Sequence, residues 1–127
     1  MRQESNRWWL QALEDLDTAE KNLTIRKYYV VAFYCQQSVE KAMKALFLET
    51  KRELPPKTHN LLELAEGVSA PEELLSCFRR LNVSYATSRY PDAANGLPRD
   101  VFDIAIAKEL MQYARRSIEW VKRALGI

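Results

Sequence analysis

Apolar residues recur at three- and four-residue steps along most of this chain. Trp9, Ala12, Leu13, Leu16, Ala19 and Leu23 do so first, with Glu14, Asp15, Asp17 and Glu20 mainly between them. That is the signature of an amphipathic helix, predicted over roughly residues 5–24. After the short polar break TIRK, the pattern resumes at Tyr28 through Ala32, Cys35, Val39, Ala42 and Leu46 to about Thr50. A connection this short makes the two helices antiparallel neighbours. KRELPPKT then breaks the chain, because each proline lacks a donor and pushes its predecessor out of helical angles.

In NLLELAEG, Asn60 is suited to cap a short helix, with Glu63 reaching back to it and Gly67 taking the left-handed conformation at its end. SAPEE repeats that logic, with Ser69 as cap and Glu72 at the capping-box position. The helix it starts runs through Leu74, Leu75, Phe78 and Leu81 to Tyr85, and Pro91 limits it by biasing Tyr90 toward extended angles. From Asp103 onward Ile104, Ala107, Leu110, Met111, Ala114, Ile118, Val121 and Leu125 form a last stripe, with Arg115, Arg116, Lys122 and Arg123 toward its C-terminal end. The expected fold is all-α: one domain over residues 1–127, an up-and-down helical bundle of four long helices plus one short helix.

Composition narrows the function classes. The 127 residues are 47% apolar and 28% charged with only three glycines, which suits a helix-rich globular protein rather than a disordered or many-stranded one. Cys35 and Cys77 lie in apolar-periodic segments and His59 is the sole histidine, so no zinc site, disulfide framework, metal or cofactor is expected. Acids appear too early for a secretory leader and YYVVAFYCQQ is too short to span a bilayer; the expectation is a cytoplasmic protein without membrane attachment. A net charge of +2 does not by itself imply nucleic acid. Glycine-rich phosphate loops, HExxH, CxxC and GxSxG elements are absent from the sequence.

Three stretches carry candidate chemistry. Arg52 and His59 are weak catalytic candidates: a guanidinium could stabilise a pentavalent phosphate while an imidazole moves its proton, although the commoner role of such a histidine is a structural hydrogen bond or simple exposure. CQQSVEKAMKAL puts Gln36, Glu40 and Lys44 on one helical stripe with Gln37 and Lys41 adjoining. Spacing favours a solvated face with an exposed Glu40–Lys44 pair; the alternative is a polar seam for a partner or a phosphate, using Gln37, Lys41 and Lys44. SYATSRYPDAANG, residues 84–96, admits two readings of equal weight, a helix stop with turn residues or a recognition element. There Arg89 offers a planar fork for phosphate, while Tyr85 and Tyr90 offer rings for a base.

The run AFYCQQSVEKAMKAL, KTHNLLELAE and YATSRYPD, followed by a long final helix, resembles the prokaryotic HEPN domain family (higher eukaryotes and prokaryotes nucleotide-binding) over essentially the whole chain. The resemblance implies an all-α bundle, usually a homodimer, often paired with a minimal nucleotidyltransferase in two-component or toxin–antitoxin systems, and a nucleotide- or RNA-binding role with Arg89, Tyr90 and Asp92 in the RYPD element. Many members are metal-independent ribonucleases that use an arginine followed four to six residues later by a histidine, two such motifs meeting across a dimer. After Arg89 comes YPDAANGLPRD, with no histidine. The expectation is therefore a binding module, with an endoribonuclease toxin and a purely structural oligomerisation scaffold as alternatives. Trp8 and the tyrosines that open the second helix are candidates for a dimer face.

Overall fold

The computed structural model describes all residues, Met1–Ile127, and its regular elements are all helical. In chain order they are α1 (Gln3–Thr24), α2 (Tyr28–Lys51), the short α3 (Leu61–Gly67), a 3-10 turn (Glu72–Leu74), α4 (Leu75–Thr87), the one-turn α5 (Pro91–Ala94) and α6 (Pro98–Val101), and α7 (Ile104–Leu125). The four long helices and the short one are those the apolar spacing predicts. The two single turns lie outside that pattern, and both start on a proline, whose fixed φ suits a first helical position as well as it ends a preceding helix. No helix is long and apolar enough to cross a membrane.

α2 is the axis of the molecule. Its stretch from Ala32 to Leu48 carries only three charged residues, and it is buried over most of that length because α1, α3, α4 and α7 all pack on it. α1 and α2 run antiparallel: Arg2 reaches Glu49 at one end of the pair, and Asp15 meets Lys41 further along. Phe78, Met43, Leu61, Leu64, Leu81 and Met111 are fully enclosed where the helices converge, each contributing about 1.5–3 kcal/mol by leaving water. Cys35 and Cys77 are buried free thiols; burial pushes Cys35 up to about 12, with the Arg115 charge acting weakly in the other direction.

The helix ends depart from the sequence expectation around α3. Asn60 caps as predicted, its Oδ1 accepting from the Leu62 amide at 3.0 Å. Glu63 does not close a capping box; the Asn60 amide donates instead to Thr58 Oγ1 at 3.1 Å. At the other end Ser69, not Gly67, takes the left-handed conformation (φ 55°). The Ala70 amide reaches back to the Ala65 carbonyl and the Ser69 amide to that of Glu66, the paired bonds of a Schellman ending. Ser69 therefore closes α3 rather than capping α4, which begins later, after the 3-10 turn. Gly67 is needed for a different reason: a Cβ there would stand 2.9 Å from Phe47 Cε2, closer than packed side chains allow.

Candidate functional site

One stripe of α2 organises the polar chemistry. Phe33, Gln37, Glu40 and Lys44 follow at steps of four and three, so they share a face. Contrary to the expected solvated face, Glu40 and Lys44 are only 4% and 7% exposed. Lys44 Nζ donates to Glu40 Oε2 at 3.0 Å and lies 5.6 Å from the Trp8 ring centre. α1 explains the burial: Trp8 covers Lys44, and buried Asp15 accepts from Lys41 at 2.5 Å. Periodicity within one helix cannot show that a second helix will lie across its polar positions.

The same carboxylate fixes His59. Glu40 Oε1 lies 2.9 Å from His59 Nδ1 and accepts longer bonds from Gln36 and Gln37. Gln36, fully buried, also donates to the His59 carbonyl at 2.9 Å. Next along the loop, the Leu61 amide donates to Asn82 Oδ1 at 2.8 Å, and Asn82 Nδ2 donates to Asn60 Oδ1. The imidazole stacks on Tyr85 with ring centres 4.2 Å apart and planes 18° apart. A carboxylate on Nδ1 selects the tautomer that carries its proton there, leaving Nε2 as the acceptor. The His59 side chain is 55% exposed, so it is clamped on one edge and one face while still open to solvent.

Two turns up the stripe stands the second half of the site. The Arg89 guanidinium lies 4.8 Å from the Phe33 ring centre, 5.2 Å from Tyr90 and 6.0 Å from Tyr85. Arg89 follows the end of α4 and is exposed; no carboxylate lies within ion-pair distance of it. Its charge is held by ring quadrupoles, which leave the fork's donors unused. Arg89 and Ser88 border a cleft of about 650 Å³ that is also lined by Arg26, Lys27, Tyr28, Tyr29 and Arg99, with no acidic residue among its walls. On its other side Arg89 borders a smaller groove of Tyr29, Phe33 and Tyr34.

Backbone geometry draws attention to Arg26. It sits at φ 63° in the α1–α2 turn, with the Lys27 amide bonded to the Asn22 carbonyl and the Arg26 amide to that of Leu23. This is again a Schellman ending, at the position that favours glycine. An arginine there accepts left-handed strain and places a cation in the cleft.

The sequence candidates thus separate. Tyr85, Arg89 and Tyr90 come together, and His59 joins them through Tyr85. Gln37 lies on the same stripe as their support, Lys41 and Lys44 are engaged in ion pairs, and Asp92 is exposed in the first turn of α5. Arg52 does not join His59: it ends α2 in a left-handed cap, twelve residues and so about 18 Å along the axis from the level of Glu40. Arg26, Lys27, Arg99 and Phe33 are not singled out by sequence. The only signal for them is a basic pair inside the TIRK break, far in the chain from RYPD.

The chain has known relatives. The family model described as HEPN domain matches residues 5–124. Among solved structures, TT1696 from Thermus thermophilus is 28% identical, with a TM-score of 0.88 over 97% of this chain and 99% of that one. ST0689, an archaeal HEPN homologue, is 29% identical, with a TM-score of 0.77 over 96% of this chain and 97% of that one. No curated protein matches. The fold and the span of the match lead to one conclusion: the chain belongs to the HEPN domain family.

Proposed function

We propose that this protein is a binding module for the phosphate-and-base unit shared by nucleotides and RNA, and that the Arg89 corner is where it binds. The observation that carries this reading is an exposed guanidinium held by aromatic rings, without a carboxylate, at the mouth of a cleft with three further cations. Arg89 offers a bidentate contact to one phosphate, Arg26, Lys27 and Arg99 attract its neighbours, and the Tyr29–Phe33–Tyr34 groove offers rings for a base. Dimerisation and a minimal nucleotidyltransferase partner follow from the family resemblance and belong to the same reading, as does the RYPD element, with Tyr90 and Asp92 beside the arginine.

The direct test is fluorescence anisotropy with a labelled 12-nucleotide single-stranded RNA, in competition with ATP and GTP, for wild type and Arg89→Ala. The variant should bind more weakly by about 1–3 kcal/mol and show a shallower salt dependence by about one phosphate contact. Competition by mononucleotides at equal phosphate concentration would identify a nucleotide site, and its absence an RNA site. Equal affinity of wild type and variant would remove the corner as the binding site.

A further inference from the structure

We infer that His59 reads the base of the bound ligand: its Nε2 accepts a hydrogen bond from an exocyclic amino group, so the site favours a base that carries one. The inference rests on the proposed phosphate contact at Arg89 and adds to it a choice among ligands. No bond is made or broken, and the imidazole serves as a fixed acceptor.

The first observation is that Glu40 does not need His59. Lys44 donates to its Oε2 at 3.0 Å, and Gln36 and Gln37 donate to its Oε1 at 3.3 and 3.4 Å. The 2.9 Å contact with Nδ1 therefore adds little to the carboxylate, whereas it decides the tautomer of the imidazole. In the neutral ring the proton sits on Nδ1 and the free lone pair on Nε2. That second nitrogen has no partner in the protein, and the side chain is more than half exposed.

The second observation is how firmly that lone pair is aimed. Gln36 holds the His59 carbonyl at 2.9 Å, Asn82 holds the Leu61 amide two residues on at 2.8 Å, and Tyr85 stacks on one face of the ring. An acceptor fixed before its ligand arrives loses little freedom on binding. The third observation is position. Tyr85 touches both the imidazole and the Arg89 guanidinium, their centres 4.2 and 6.0 Å from its ring. A phosphate on Arg89 thus brings the attached or adjoining base to the open edge of His59.

Base chemistry then sets the selectivity. Adenine, cytosine and guanine each project an amino group from the ring edge, whereas uracil presents carbonyl oxygens, and its single N–H lies between two of them. Their lone pairs repel that of Nε2, so an acceptor locked in place disfavours an edge made of acceptors.

The experiment compares two labelled 12-nucleotide strands by fluorescence anisotropy: one of adenosine, and the same strand built from purine riboside, which lacks only the amino group. Wild type should bind the adenosine strand about 3–10-fold more tightly. His59→Ala should bind the two alike, within about twofold of the wild-type affinity for the purine-riboside strand. ATP and purine riboside triphosphate, as competitors, should show the same ratio where the ligand is a free nucleotide. Because His59 is the sole histidine, nitrogen-15 NMR of histidine-labelled protein reports its ring alone. With the ring in its neutral form, Nδ1 should be protonated and Nε2 bare. The Nε2 resonance should move on adding the adenosine strand and stay near its free position with the purine-riboside strand. That measurement needs no variant, so it decides the matter even where His59→Ala fails to fold. Equal wild-type affinity for the two strands, a preference that survives His59→Ala, a neutral ring protonated on Nε2, or equal resonance shifts with both strands would overturn the inference and leave the binding reading intact. Absence of binding to either strand and either nucleotide would overturn both.

Discussion

The buried seam on α2 and the arginine corner at its N-terminal end use the same residue types to opposite ends. In the seam every charge has a partner: Glu40 with Lys44 and His59, Asp15 with Lys41. In the corner Arg89 has none, and the cleft beside it collects three more cations, of which only Arg99 has a carboxylate near it, the exposed Asp100 at 4.0 Å. A buried charge left unpaired costs several kcal/mol, so pairing inside is enforced by desolvation. At the surface water does most of the stabilising, so an unpaired arginine costs little and its donors stay available. The contrast separates charge that holds the molecule from charge that meets a ligand.

The largest effect should come from the seam. Glu40→Ala strands Lys44 beneath Trp8 and should cost about 3–5 kcal/mol in urea-induced unfolding. Replacing the pair together, Glu40→Leu with Lys44→Met, should return stability to within about 2 kcal/mol of wild type, because no charge remains buried. A double variant as unstable as the single would mean that the seam's hydrogen bonds to Gln36, Gln37 and His59 matter more than the ion pair. Asp15→Ala should cost less, about 1–3 kcal/mol by the same measurement, since Lys41 keeps its bond to Gln37 and has partial access to water.

The corner should respond in the reverse sense. Arg26→Gly relieves a left-handed backbone at a Schellman ending and should leave the protein as stable as wild type or up to about 1 kcal/mol more so. The same change should weaken RNA binding, detected in the anisotropy assay. Loss of stability and unchanged binding together would show that Arg26 is held there by packing instead of by a ligand. Smallest of all, Arg80→Ala removes an exposed 3.2 Å pair with Glu109 and should shift the unfolding free energy by less than about 0.5 kcal/mol. It is the reference for a charge that belongs to neither region.

Much of the fold is legible in the order of residues. The three- and four-residue steps mark the four long helices, Asn60 announces one helix start, and the prolines announce the breaks; the structure adds Asp103 as the cap of α7, its Oδ1 accepting from the Ile106 amide at 2.8 Å. These features depend on contacts within a turn or two, which spacing records directly. Ser69 shows where that legibility fails. Capping chemistry suits it to a helix start, yet it ends the preceding helix, while Gly67 stays inside α3 against Phe47.

For the site, the sequence alone placed Arg89, Tyr85 and Tyr90 at a helix end and His59 at a helix start, as separate candidates. Only the tertiary structure made neighbours of them. Tyr85 spans from α4 to the loop before α3, α1 closes over Glu40 and Lys44, and Arg26, Lys27 and Arg99 converge on one cleft from two distant turns. Local pattern fixes which residues are helical, because hydrogen bonds within a helix join near neighbours. Which polar residues are buried and paired and which are left open depends on where other helices pass, and that is settled by packing between segments far apart in the chain.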